Sequence, residues 1–146
     1  MKDLREYIEA LRAIGELHEI NHSVDCNLEV GAIMKKVNDM KGPALLYNSI
    51  EGYPQGYRIL GSPVGASNKK NRLYSRSALS LGLPVDTNIF EIIEKMSRIN
   101  ENKLIPPRIV ETAPCKETIL TGDKINLYSL PAPLLHEGDG GRYIGT

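Results

Sequence analysis

Residues 28–60, LEVGAIMKKVNDMKGPALLYNSIEGYPQGYRIL, decide the fold. Val30, Ile33, Met34, Val37 and Met40 recur at helical spacing and form one apolar stripe. Asn27 or Asp25 is placed to cap that helix, and Gly42-Pro43 ends it. Ala44-Leu45-Leu46-Tyr47 is then a continuous apolar run, the pattern of a strand buried on both faces. The turn-rich piece EGYPQG leads to a second strand at Tyr57–Leu60. Helix, buried strand, turn and strand together predict a sheet interior covered by helices.

Upstream, Leu4, Tyr7, Ile8, Leu11 and Ile14 make a second helical stripe. Asp3 caps it, Glu6 completes a capping-box pattern, and Gly15 stops it. Glu16–Val24 reads as a short strand with weak alternation. Downstream, residues 61–80 carry turn residues and then Lys69, Lys70, Arg72 and Arg76; the second half is expected helical, with Leu73, Ala78 and Leu81 inward. A further helix starts near Asn88, with Ile89, Ile92, Ile93, Met96 and Ile99 as its stripe and Glu91 repeating the cap pattern. Pro106-Pro107 forces extended backbone, and Arg108–Val110 and Glu117–Leu120 are expected strands. The order lacks a strict strand–helix–strand alternation, so the predicted class is α/β (α+β) with a mixed sheet and packed helices.

The 146 residues suit about one ordinary domain. Eighteen basic and eighteen acidic residues cancel, which argues against a strongly basic nucleic-acid binder or a polybasic membrane-surface protein. The seven Tyr are scattered rather than interleaved with basic residues, so no stacking platform for single strands is built. No apolar run approaches the roughly 20 residues that span a membrane. Cys26 and Cys115 lie far apart, outside any metal-ligand spacing, and suit a reducing, cytoplasmic compartment.

Few residues point to chemistry. His18 and His22 would suit a metal on a helix, but on a strand they lie too far apart for one ion. Cys26 and Cys115 have no sequence neighbour that would activate a thiol. Arg72 and Arg76, at helical spacing, would suit a phosphate or carboxylate; a solvated helix face is the commoner meaning of such a run. His136, Glu137 and Asp139 crowd between Gly138, Gly140 and Gly141, with Arg142 placed to offset their charge. A polar turn before a strand accounts for the same residues. Tyr143–Thr146 reads as a strand just begun, and an unpaired strand is an unusual finish for a domain. The chain is therefore expected to be an N-terminal part of something larger, or half of a split protein.

These pieces resemble, in order, the UbiD family of decarboxylases. The opening MKDLREYIEALRAIGELHEI is similar to the family's start, and LEVGAIMKKV to its second helix. GPALLYNSIEGYP and RILGSPVGAS follow, then a basic helix and LGL. Later come PP-x(5)-APCKE and L-x-x-L-P-x-P-x-x-H, which lead into EGDGGRYIGT. The closing D-G-G-x-Y-I-x-T is the most specific, and the resemblance covers the whole chain.

The resemblance implies a non-oxidative decarboxylase, reversible in some members, of aromatic or α,β-unsaturated carboxylic acids. It implies prenylated FMN held with a divalent metal, often manganese, and potassium, and a Glu-Arg-Glu network that handles the proton. In the family those catalytic and metal-binding groups follow the D-G-G-x-Y-I-x-T strand. Hence no catalytic or metal-binding residue is assigned here; Ile144, Gly145 and Thr146 match the edge of the family's pocket. Residues 1–125 are expected to form an N-terminal α/β domain. Residues 126–146 would be a linker and the first strand of a flavin-binding split barrel. The expected partners are the remainder of the decarboxylase, from the same or a separate gene, and further copies in a homo-oligomer. No tight flavin binding by the chain alone is expected. A non-catalytic accessory or assembly subunit, and a truncated product with residual fold, are the alternatives.

Overall fold

The computed structural model describes residues 3–101 and 105–145. Helix α1 spans Leu4–Ala13 and is capped as its sequence predicts: Asp3 Oδ1 accepts the Glu6 amide at 2.9 Å. It buries Tyr7, Ile8 and Leu11, and Gly15, at φ +67°, reverses the chain after it. Strand β1, Leu17–Ile20, follows at once.

Helix α2, Glu29–Asp39, then crosses from β1 to strand β2, Ala44–Tyr47, which runs parallel to β1. Strand β3, Ile59–Gly61, pairs with β2 antiparallel. The sheet order is β1-β2-β3, so β2 is central, and all four of its residues are buried. Leu45 and Tyr47 join Ile20, Val24, Val30 and Ile50 in one cluster, against which Ile33, Met34 and Val37 of α2 pack. Ala44 joins Tyr7 and Leu11 in a second cluster, packed by Leu79. Successive β2 side chains thus feed two layers of helix, as period-two geometry requires. The mixed α/β class read from the sequence holds.

Helix α3 is short, Ser75–Ser80, and Ala78 faces inward while Leu73 is exposed. Helix α4, Ile89–Ser97, starts on Asn88, whose Oδ1 accepts the amides of Phe90 and Glu91. Of its stripe only Ile92 is buried. Phe90, Ile93 and Met96 are exposed.

Three local expectations fail. Neither Asn27 nor Asp25 caps α2: Asp25 Oδ1 accepts the Asn27 amide at 2.7 Å, and the residue ahead of the helix is Leu28, at φ +72°. No strand forms at Arg108–Val110 or Glu117–Leu120. That stretch is exposed, broken by 3-10 turns at Pro114–Lys116, Gly122–Lys124 and Leu127–Ser129, and pairs with neither sheet edge. Tyr143–Gly145 likewise forms no strand, although the Tyr143 amide donates to Pro133 O at 3.3 Å; Thr146 lies outside the described residues. No described helix is long and apolar enough to cross a membrane.

Candidate functional site

After the exposed stretch the chain returns to the core. Residues 131–135 lie across the start of α2. The Leu28 amide donates to Leu134 O and the Leu134 amide donates to Cys26 O, both at 2.9 Å, a parallel bridge of Asn27 with Leu134. Leu28 adopts its positive φ here, a conformation that costs a non-glycine residue about 1–2 kcal/mol. Gly31 leaves the space: a Cβ there would stand 2.1 Å from Leu135 O.

The returning segment walls an apolar cleft of about 520 Å³. Met34 of α2 and Ile59 and Leu60 of β3 form one side, with Leu4 of α1 at its end. Pro133, Leu135, Tyr143, Ile144 and Gly145 form the other. Ile144 and Gly145, which the resemblance places at a pocket edge, line this cleft; Thr146, matched with them, is outside the described residues. Ser62, at φ +52°, sits in the wall, and its Oγ has no partner among the described residues. Leu4 had looked like a core position by spacing, and its side chain is exposed at the cleft instead.

The basic run splits: Lys70 and Arg72 are exposed, while the carboxylate that Arg76 holds is the chain's own Glu16. Arg76 is fully buried: Nη1 donates to Glu16 Oε2 and Gly42 O at 2.8 Å, and Nη2 donates to Ala66 O at 2.9 Å. Glu16 is buried too, and Oε1 accepts from Ser67 Oγ at 2.7 Å. Lys69 Nζ donates to Ile14 O and Gly15 O at the end of α1, where a cation complements the helix dipole. The Tyr7 hydroxyl lies 2.8 Å from Pro63 O and 3.0 Å from Arg76 O. Burial pushes its pKa up to about 12, with the Arg76 charge opposing. Arg72 lies outside α3, so it and Arg76 share no helix face. A buried glutamate at the entrance to β1 was the missed signal; the G-E-L triplet contained it without revealing its partner.

The remaining candidates stay apart. His18 and His22 are exposed, and no group of three metal-ligating side chains forms among the described residues. Asp139 Oδ2 accepts the His136 amide at 3.0 Å, with His136 Nδ1 at 3.6 Å, which makes a local polar turn. Arg142 does not offset those carboxylates: its Nη1 donates to Ala132 O at 3.3 Å, bracing the returning segment. Cys26 and Cys115 are both free, and burial pushes the Cys26 thiol up.

Comparison with known proteins decides the family. Residues 8–96 match the 3-octaprenyl-4-hydroxybenzoate carboxy-lyase N-terminal domain. The chain belongs to the UbiD family. Residues 108–146 match the Rift-related domain of the same family. Among UbiD relatives, the chain is 38% identical over 144 residues to pyrrole-2-carboxylic acid decarboxylase of Pseudomonas aeruginosa. It is 41% identical over 147 residues to ferulic acid decarboxylase 1 of Saccharomyces cerevisiae. Each match covers 99% of this chain and 29% of the relative. The fold is similar to that of the vanillic acid decarboxylase of Sedimentibacter hydroxybenzoicus in its open form, with a TM-score of 0.80 at 32% identity. That match covers 99% of this chain and 30% of the neighbour. HmfF of Pelotomaculum thermopropionicum, a UbiD-class enzyme solved with prFMN, is similar at a TM-score of 0.72 and 28% identity, over 99% of this chain and 30% of that one.

The apolar cleft does not fit the charged parts of a flavin phosphate or a metal. No Lys, Arg, His, Asp or Glu lines the apolar cleft, so it offers no cation to a phosphate and no ligand to a metal.

Proposed function

We propose that this chain is the N-terminal region of a UbiD-like non-oxidative decarboxylase of aromatic or α,β-unsaturated carboxylic acids. The carrying observation is that both family domains match in chain order, at residues 8–96 and 108–146. Residues 1–125 frame the site and support assembly, and residues 126–146 lead into the flavin-binding region. Ile144 and Gly145 stand at the edge of the pocket, to which the family motif also matches Thr146. The apolar cleft against which Ile144 and Gly145 sit supports that placement. Prenylated FMN, a divalent metal such as manganese, and potassium would be held by residues other than those described here. The remainder of the enzyme and further copies of it are the partners, and two free cysteines favour a reducing cytoplasm.

The test is carbon dioxide release by the longest native polypeptide that carries this chain, loaded with prenylated FMN. Cinnamic, ferulic and pyrrole-2-carboxylic acids are the substrates. Release from at least one acid, abolished by deleting residues 1–146, is expected, with no release by the 146 residues alone. A flavin-loaded polypeptide inert toward all three would contradict the proposal. Activity obtained only on mixing with a separately encoded remainder would identify an accessory subunit instead.

A further inference from the structure

We infer that Cys26–Gly31 is a clasp that positions residues 131–145, and that Gly31 is its positioning residue. Gly31 sits inside α2, where glycine weakens a helix relative to alanine and where the backbone does not require it. What requires it is the returning chain. A Cβ would stand 2.1 Å from Leu135 O and 2.8 Å from both Leu135 C and Cα, all backbone atoms that cannot swing aside.

Leu28 is the second, independent sign. Its backbone is held at φ +72°, and its amide, freed from the helix, donates to Leu134 O. Two local departures from good helix sequence, an inner glycine and a strained start, serve the same docking.

The docking reaches further. The Tyr143 amide donates to Pro133 O at 3.3 Å, and Arg142 Nη1 donates to Ala132 O at 3.3 Å. Residues 132–134 thus connect the start of α2 to Tyr143, and Tyr143, Ile144 and Gly145 form the cleft wall facing β3. The clasp fixes the path of the chain within the region matched to the Rift-related domain, residues 108–146. Its consequence for catalysis rests on the decarboxylase reading above, since a small misplacement of a positioned group slows a reaction that depends on it.

The experiment compares wild type, Gly31→Ala, Leu134→Pro and Ala32→Gly in the longest native polypeptide carrying this chain. It reads hydrogen exchange by residue, and kcat and KM, with prenylated FMN supplied, for whichever of cinnamic, ferulic and pyrrole-2-carboxylic acids the wild type turns over. Gly31→Ala should speed exchange at the Leu28, Leu134 and Tyr143 amides by about tenfold or more, while Leu45–Tyr47 stay slow. Its kcat should fall by about tenfold or more, with KM changing far less. Leu134→Pro removes the amide that meets Cys26 O and should reproduce the kcat loss, which keeps the test informative if Gly31→Ala does not fold. Ala32→Gly, an exposed neighbour on the same helix, should change neither readout at those positions.

Unchanged exchange at Leu134 and Tyr143 in Gly31→Ala would overturn the clasp. Faster exchange with wild-type kcat would overturn its positioning role. A wild type that turns over none of the three acids brings down the decarboxylase reading itself, and the exchange readout still decides the clasp.

Discussion

Leu45 and Ile119 each belong to a stretch that reads as strand, and they end in opposite environments. Leu45 lies in β2, bonded to a strand on either side and covered by helices on both faces. Ile119 is 73% exposed, in a stretch where Ile105 and Ile109 are 93% and 96% exposed. Apolar, β-branched residues therefore do not make a strand by themselves. β2 is fixed because its two neighbours and its helical covers are all close in the chain. Residues 105–130 have no such partners among the described residues, and most of their apolar side chains stay exposed.

The largest effect that would break this contrast is at the buried pair that ties α1, α3 and the 61–67 loop to the sheet. Glu16→Ala leaves Arg76 buried and uncompensated, and should cost about 3–5 kcal/mol in chemical denaturation. A loss below about 1 kcal/mol would mean that Arg76 finds water there. Asn88→Ala, which removes the cap of α4, should cost about 1 kcal/mol by the same measurement. On the other side of the comparison, Ile119→Ser should change the stability of this chain by no more than about 0.5 kcal/mol. A larger loss would mean that 105–130 is packed after all.

The core should also show itself in pH. Burial raises the Tyr7 pKa to about 12, and Tyr47 is shifted in the same direction by the same cause. In the unfolded chain a tyrosine returns to about 10. Between these values the unfolded state has already lost a proton that the folded state keeps, so stability falls as pH rises from about 10 to about 12. Tyr7→Phe should flatten that slope in pH-dependent denaturation; an unchanged slope would remove Tyr7 from the account.

Much of the core was legible because its signals are local. The Asp3 and Asn88 caps, the glycine stop after α1 and the run Ala44–Tyr47 each depend on neighbours within a few residues. What was not legible depends on distant partners. Arg76 meets Glu16 sixty residues away, and nothing in a basic run distinguishes that buried cation from its exposed neighbours Lys70 and Arg72. The start of α2 was misread for the same reason: Leu28 gives its amide to Leu134, so the side-chain cap that Asn27 or Asp25 would have supplied is not used. Of the candidate site, Ile144 and Gly145 were marked by the family motif, whereas Met34 and Ile59 join them in one cleft only because the chain returns. Arg142 illustrates the limit, since a carbonyl at Ala132 takes the guanidinium that proximity assigned to the Glu137 and Asp139 carboxylates.

Residue-resolved native hydrogen exchange of this chain tests the central claim, a sheet core that holds its own returning segment while the stretch between stays uncovered. The account predicts that the Leu45–Tyr47 amides exchange slowest. The Leu28 and Leu134 amides should be protected together at an intermediate level, and residues 105–125 should exchange near the rate of an unstructured chain. Leu134 exchanging as fast as residues 105–125, or those residues protected as well as β2, would contradict it.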